Sequence, residues 1–124
     1  MAFVVVGGML LASPAALAGT PPSNDSFAQA KVVSSLPYGD TVNAGAATQV
    51  ASDPKCGPFT TGHTVWYAFT PGENVRLDAR ATAKDSSSLA VGVYSGNLGS
   101  LVEVGCDTGN EFAGPRVDLT AGTT

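Results

Sequence analysis

From His63 to Pro71 the chain reads His-Thr-Val-Trp-Tyr-Ala-Phe-Thr-Pro, and its residues alternate as a strand does. Val65, Tyr67 and Phe69 point one way, while Thr64, Trp66 and Ala68 point the other. β-Branched and aromatic residues suit a pleated, half-buried surface, and Gly62 and Pro71-Gly72 punctuate the two ends. This pattern predicts a central strand. The same period recurs from Asn74 to Thr82, with Val75, Leu77 and Ala79 facing in and Arg76, Asp78 and Arg80 facing out. It recurs again in Leu89, Val91 and Val93, ending at Tyr94. A hairpin connection at Ser95–Ser100 leads to a return strand in which Val102, Val104 and Cys106 share a face. Lys31–Ser34 reads as a short strand, Asp40–Asn43 as the start of another, and Arg116–Thr120 as a further one. Pro37–Asp40 is a turn. Lys84–Ser88 and Asp107–Pro115 are polar loops, and Ala44–Thr61 is a long irregular stretch. Asn24-Asp25-Ser26 is placed to cap a helical turn through Ala30, with Phe27 as an anchor. The same three residues form a glycosylation sequon, relevant in a eukaryotic secretory host. Strands at this spacing with no helices between them predict an all-β fold, a jelly-roll-like β-sandwich of roughly eight strands. No closing apolar strand follows Ala121-Gly122-Thr123-Thr124. The expectation is therefore that the final strand is missing and that the sequence is part of a longer reading frame.

The first 18 residues add a targeting signal. Phe3–Ala12 is an apolar run, too short to span a bilayer, and Pro14 interrupts it. Ala16-Leu17-Ala18 has the small-x-small pattern of a signal-peptidase site, which places cleavage after Ala18. No Lys or Arg precedes Lys31, so only the α-amino group supplies the usual positive end. The organisation expected is a signal peptide over residues 1–18, a Pro-rich leader over 19–23, and one β-domain over 24–124. The same apolar run also suits a buried strand or helix of the domain. Six Lys/Arg against ten Asp/Glu give a formal charge of −4, and charged residues make up 13% of the chain. The acidic excess argues against nucleic acid or an anionic membrane as a partner. The low charge suits a secreted or cell-surface β-domain.

Candidate chemistry is sparse. Cys56 and Cys106 are the only cysteines, and in an oxidising compartment they are expected to form a disulfide closing a loop of roughly 50 residues. Asp107, Asn110 and Glu111 supply oxygens that calcium prefers, with Asp25, Asp40, Asp53 and Asp85 as further candidates if loops converge. These residues also serve as solvated turn residues. Gly57–Thr64 mimics a phosphate-binding loop, with His63 where lysine is needed. A strand follows it instead of a helix, which excludes nucleotide binding. His63 is the only histidine. No nucleophile elbow or zinc-binding helix accompanies it, so the chain is not expected to be an enzyme. Trp66 suits either a stacking surface for a sugar or collagen-like chain, or a place in the core.

Four stretches occur in a familiar order: Pro22–Ala30, Thr64–Pro71, Leu89–Cys106 and Arg116–Thr124. Together they resemble the bacterial pre-peptidase C-terminal domain, over roughly residues 22–124. The resemblance implies a non-catalytic β-sandwich on a secreted bacterial protein, often beside a peptidase. Some such domains bind calcium, and some bind collagen or other extracellular polymers. It therefore implies an accessory or adhesion module that binds an extracellular protein or polysaccharide, or assists a downstream peptidase. The alternatives are a structural spacer in a multidomain surface protein and a secreted hydrolase with a site around His63. The sequence departs from the family in lacking the aromatic-rich strand that usually follows Ala-Gly-Thr-Thr. It also places the module directly after the signal peptide.

Overall fold

A computed structural model describes residues 2–9, 19–50, 52–57, 63–84 and 88–123. Nine strands run through them: β1 (Ala2–Met9), β2 (Lys31–Val33), β3 (Thr64–Phe69), β4 (Val75–Asp78), β5 (Ala81–Thr82), β6 (Ser88–Ser95), β7 (Val102–Asn110), β8 (Phe112–Ala113) and β9 (Arg116–Leu119). Two single-turn 3₁₀ helices, Phe27–Gln29 and Ala44–Ala46, complete the regular structure. The fold is all-β. The expected cleavage site at Ala16–Ala18, the Pro58–Gly62 part of the phosphate-loop mimic, and Asp85 lie outside the described residues.

The larger sheet has the order β2-β3-β1-β6-β7. Only the β2–β3 pair is parallel. β3 is buried along its whole length, and β6 along all but its end residues. Continuous burial on both faces explains why their sequences carry apolar residues at consecutive positions. On one face Val65, Tyr67 and Phe69 of β3 join Leu89, Val91 and Val93 of β6. Val33, Ala47, Leu77, Ala79, Ala113, Val117 and Leu119 complete this main core. On the other face Trp66, Ala68 and Tyr94 form a smaller cluster, covered by Phe27, Ala30 and Leu101.

The remaining strands form two antiparallel ribbons, β4–β9 and β5–β8. In the first, Leu77 pairs with Val117 and Val75 with Leu119 on the inner face, while Arg76 pairs with Asp118 and Asp78 with Arg116 outside. The strict alternation from Asn74 onward thus holds, divided between β4 and β5. The outer charges neutralise one another: Arg76 grips Asp118 through two bonds of 2.8 and 3.2 Å, and Asp78 receives both Arg80 and Arg116. Such solvent-exposed pairs are screened by water and contribute little to stability. They set cross-strand register more than stability.

Three expectations about local structure need correction. Residues 40–43 form no strand, because the Asp40 carboxylate takes the Thr41 N–H and two long-range donors described below. Asp107–Asn110 belongs to β7 and is not a loop, since its backbone continues the ladder with β6 as far as Ser88↔Asn110. Val102 and Val104 are 63% and 40% exposed. A register shift between Val93 and Tyr94 leaves Val104 without a partner in the ladder, breaking the shared face that strict alternation predicts.

Ala2–Met9, the apolar part of the expected leader, forms β1, hydrogen-bonded to β3 on one side and β6 on the other. A cleavable leader and a strand paired on both edges within a sheet demand the same thing of a sequence: a short, uncharged, apolar run.

Candidate binding cleft

Residues 34–45 leave β2 as an irregular loop and arch over the end of β3. Between this loop and residues 77–84 lies a cleft of about 1070 Å³. Its floor is apolar, formed by Val33, Phe69, Leu77 and Leu89, and its walls carry Tyr38, Asp40, Arg80 and Lys84.

Asp40 fastens the loop wall. Its Oδ2 accepts the Lys31 ammonium at 2.8 Å and the Tyr67 hydroxyl at 3.0 Å, and its Oδ1 accepts the Thr41 N–H at 2.9 Å. β2 presents Lys31 beside the loop, and β3 projects Tyr67 upward from the core. The Tyr38 ring meets Tyr67 edge-on, with centroids 6.0 Å apart. The Lys31 hydrogen bond, then those of Tyr67 and Thr41, hold the Asp40 carboxyl below its ordinary range against the cost of its partial burial. Burial, followed by the hydrogen bond and charge of Asp40, pushes the Tyr67 phenol well above its ordinary range. Tyr67 therefore remains a donor and Asp40 an ionised acceptor across neutral pH. Tyr38 is 42% exposed, an aromatic rim over an apolar floor.

A second polar cluster holds the long irregular stretch. Asn24 is 2% exposed; its Nδ2 donates to the Trp66 carbonyl at 3.0 Å, and its own carbonyl accepts the Trp66 N–H at 2.9 Å. Asp25 takes the Thr48 N–H and hydroxyl at 2.7 and 2.8 Å. His63 Nδ1 donates to the Ala47 carbonyl at 2.6 Å, an acceptor that fixes the proton on that nitrogen. Tyr94 donates its hydroxyl to the Lys55 carbonyl at 3.1 Å. Burial, then the charge of Glu103, pushes the Tyr94 phenol up to about 12. Asp53, 7% exposed, is raised by burial and, after a relieving Thr64 hydrogen bond, by the charge of Asp25. Its Oδ2 finds no hydrogen-bond partner among the described residues.

The sulfurs of Cys56 and Cys106 are bonded, with Cα atoms 5.7 Å apart. The bridge ties the irregular stretch to β7. For a separation of 50 residues the chain-entropy contribution is about 4 kcal/mol.

The oxygen-bearing candidates are dispersed. Asp107 Oδ2 accepts the Gly114 N–H at 2.8 Å, and Asn110 Oδ1 accepts the Ser88 hydroxyl at 2.8 Å. Three residues apart on one strand, they project from opposite faces. Glu111 follows with φ 68°. Asp25 and Asp53 are neighbours, while Asp40 lies in the cleft wall. Among the described residues, no three His, Cys, Asp or Glu side chains converge as a metal site requires. Trp66 is 0% exposed, its ring packed edge-on against Phe27 at 5.0 Å. It fills the core and offers no stacking face, a correction to its reading as a ligand platform. The sequon meets the same obstacle, because the Asn24 amide is buried and already committed.

In the sequence Asp40 reads as a turn residue, a strand start and a metal candidate, and only the fold brings it to Tyr67 and Lys31. The available signal was a turn carrying a carboxylate and an aromatic beside a β-edge. No described helix is long and apolar enough to cross a membrane. No family model matches the chain, and neither a curated protein nor a solved structure does.

Proposed function

We propose that this chain is a non-catalytic binding module of a secreted or cell-surface bacterial protein, and that the cleft between residues 34–45 and 77–84 holds an extended polypeptide. The observation that carries this reading is an apolar floor rimmed by an exposed tyrosine and by charges of both signs. An extended peptide supplies what such a cleft uses: apolar side chains for the floor, and backbone groups and charged side chains for Asp40, Arg80 and Lys84. A polysaccharide site would call for a flat exposed aromatic platform, and the only tryptophan is in the core. The apolar leader pattern, the disulfide and the resemblance to pre-peptidase C-terminal domains support the same setting, an accessory domain beside a peptidase on an extracellular substrate. A jelly-roll-like two-layer architecture is part of this proposal, the β4–β9 and β5–β8 ribbons closing the main core against the larger sheet.

The test is equilibrium binding to immobilised collagen, gelatin, chitin, cellulose and peptidoglycan, with wild type and Tyr38→Ala side by side. The expected result is saturable binding to a polypeptide support, weakened about tenfold by Tyr38→Ala, on the scale of losing one half-buried aromatic contact. Binding to none of the five supports would favour a structural spacer and overturn the proposal. Binding to a polysaccharide alone would overturn the choice of ligand.

A further inference from the structure

The lane between β3 and β6 is an unusual place for a leader. β1 pairs with β3 over six residues, from Ala2↔Phe69 to Gly7↔Thr64. It pairs with β6 over eight, from Ala2↔Ser95 to Met9↔Ser88. In this sheet β3 and β6 are not hydrogen-bonded to each other; β1 alone joins them. Removing residues 1–18 therefore divides the sheet into β2-β3 and β6-β7. It leaves two inward-facing rows of backbone donors and acceptors, on strands whose side chains are buried on both faces. Unpaired backbone groups in such surroundings carry a large desolvation penalty, and a bare strand edge is a template for another strand.

We propose that the lane is a strand-acceptor site, which cleavage after Ala18 opens to an extended strand of a second polypeptide. The inference rests on reading residues 1–18 as a removable leader, and it concerns a site distinct from the cleft. The lane specifies its occupant. The occupant runs antiparallel to both neighbours, as β1 does. It spans six to eight residues, the length of the two registers. It is uncharged and free of proline, because strands buried on both sides and paired on both edges tolerate neither charge nor a missing N–H. Ala-Phe-Val-Val-Val-Gly-Gly-Met, which occupies the lane while attached, has this chemistry throughout. Main-chain bonds to two strands supply affinity, and the buried faces select for apolar residues.

The experiment uses the full chain with a site-specific protease sequence replacing residues 12–18. It is independent of whether a signal peptidase acts, so its failure is distinguishable from failure of the leader reading, which the N-terminal sequence of secreted protein settles. The protein is folded, cut, unfolded in urea, and refolded with a twentyfold excess of a fluorescent peptide of residues 2–9 bearing a Lys-Lys tail. The expected result is refolded protein carrying the labelled peptide, with slowed amide exchange in both β3 and β6. A Val5→Pro peptide, altered at the rung facing Trp66 and Gly92, should be incorporated at least tenfold less. Three outcomes overturn the proposal: refolding with β3 and β6 protected but no peptide bound, equal incorporation of the proline peptide, or no refolding in any mixture.

Discussion

Asp40→Ala is the substitution that most directly tests how the cleft wall is held. It removes three bonds of unequal weight. The Lys31 ion pair is partly exposed, with side-chain exposures of 42% and 22%, so water screens it and its loss is the minor part. The Thr41 N–H is exposed and turns to water at little cost. The Tyr67 hydroxyl is the largest loss, since Tyr67 is 8% exposed and an orphaned buried donor costs about 1–3 kcal/mol. The expected cost is about 1–3 kcal/mol, set by the orphaned Tyr67 hydroxyl and measured by urea unfolding followed through Trp66 fluorescence. In a Tyr67→Phe background the donor is already gone, so Asp40→Ala should cost only the small, screened ion-pair share, much less than in wild type. The pH dependence has a definite sign. Because folding lowers the Asp40 pKa, its contribution is full above the ordinary carboxylate range and is lost as pH falls through the lowered folded value. Wild type and Asp40→Ala should therefore converge in acid and differ at neutral pH. A cost below about 0.5 kcal/mol, or the same cost in both backgrounds, would refute the reasoning.

Other outcomes follow from the same physics. A Cβ at Gly92 would lie 2.5 Å from Tyr94 Cε2 and 2.6 Å from its hydroxyl, and that ring is pinned by the Lys55 carbonyl; Gly92→Ala should cost about 1–3 kcal/mol by urea unfolding, and much less in Tyr94→Ala. Asp53→Asn should raise the melting temperature at neutral pH by a few degrees, about 1 kcal/mol. Because folding raises the Asp53 pKa, the wild type is penalised as pH rises through that folded value, and thermal melts across pH 4–8 should show the variant's advantage growing in that direction. Cys56→Ser with Cys106→Ser should lower stability by about 4 kcal/mol under non-reducing conditions. Calcium at millimolar levels should leave the melting temperature unchanged, because Asp107 and Asn110 already hold internal partners on opposite strand faces.

Much of the fold was legible because the signals were local. The alternation in Val75–Ala79 reports a single face, and burial follows it residue by residue, while that in Leu89–Val93 marks the face turned to the main core on a strand buried on both sides. The cysteine pair needed only parity and compartment. Where the reading failed, a distant contact decided. Asp40 looks like strand material until Lys31 and Tyr67 are brought to it. Val104 keeps its alternation in sequence and loses it at the register shift. Asp107–Asn110 reads as a loop by polarity, yet an edge strand with one solvent-facing side accepts those residues. Trp66 was ambiguous because β3 is buried on both faces, and period two cannot say which side meets water. The cleft was the least visible, since its walls come from segments more than 30 residues apart.

Hydrogen exchange of the full chain, with and without a saturating polypeptide ligand, addresses the cleft most directly. The expected result is slowed exchange confined to residues 36–45 and 78–84, abolished by Tyr38→Ala. Protection instead along the exposed edge of β7, with residues 36–45 unchanged, would contradict it.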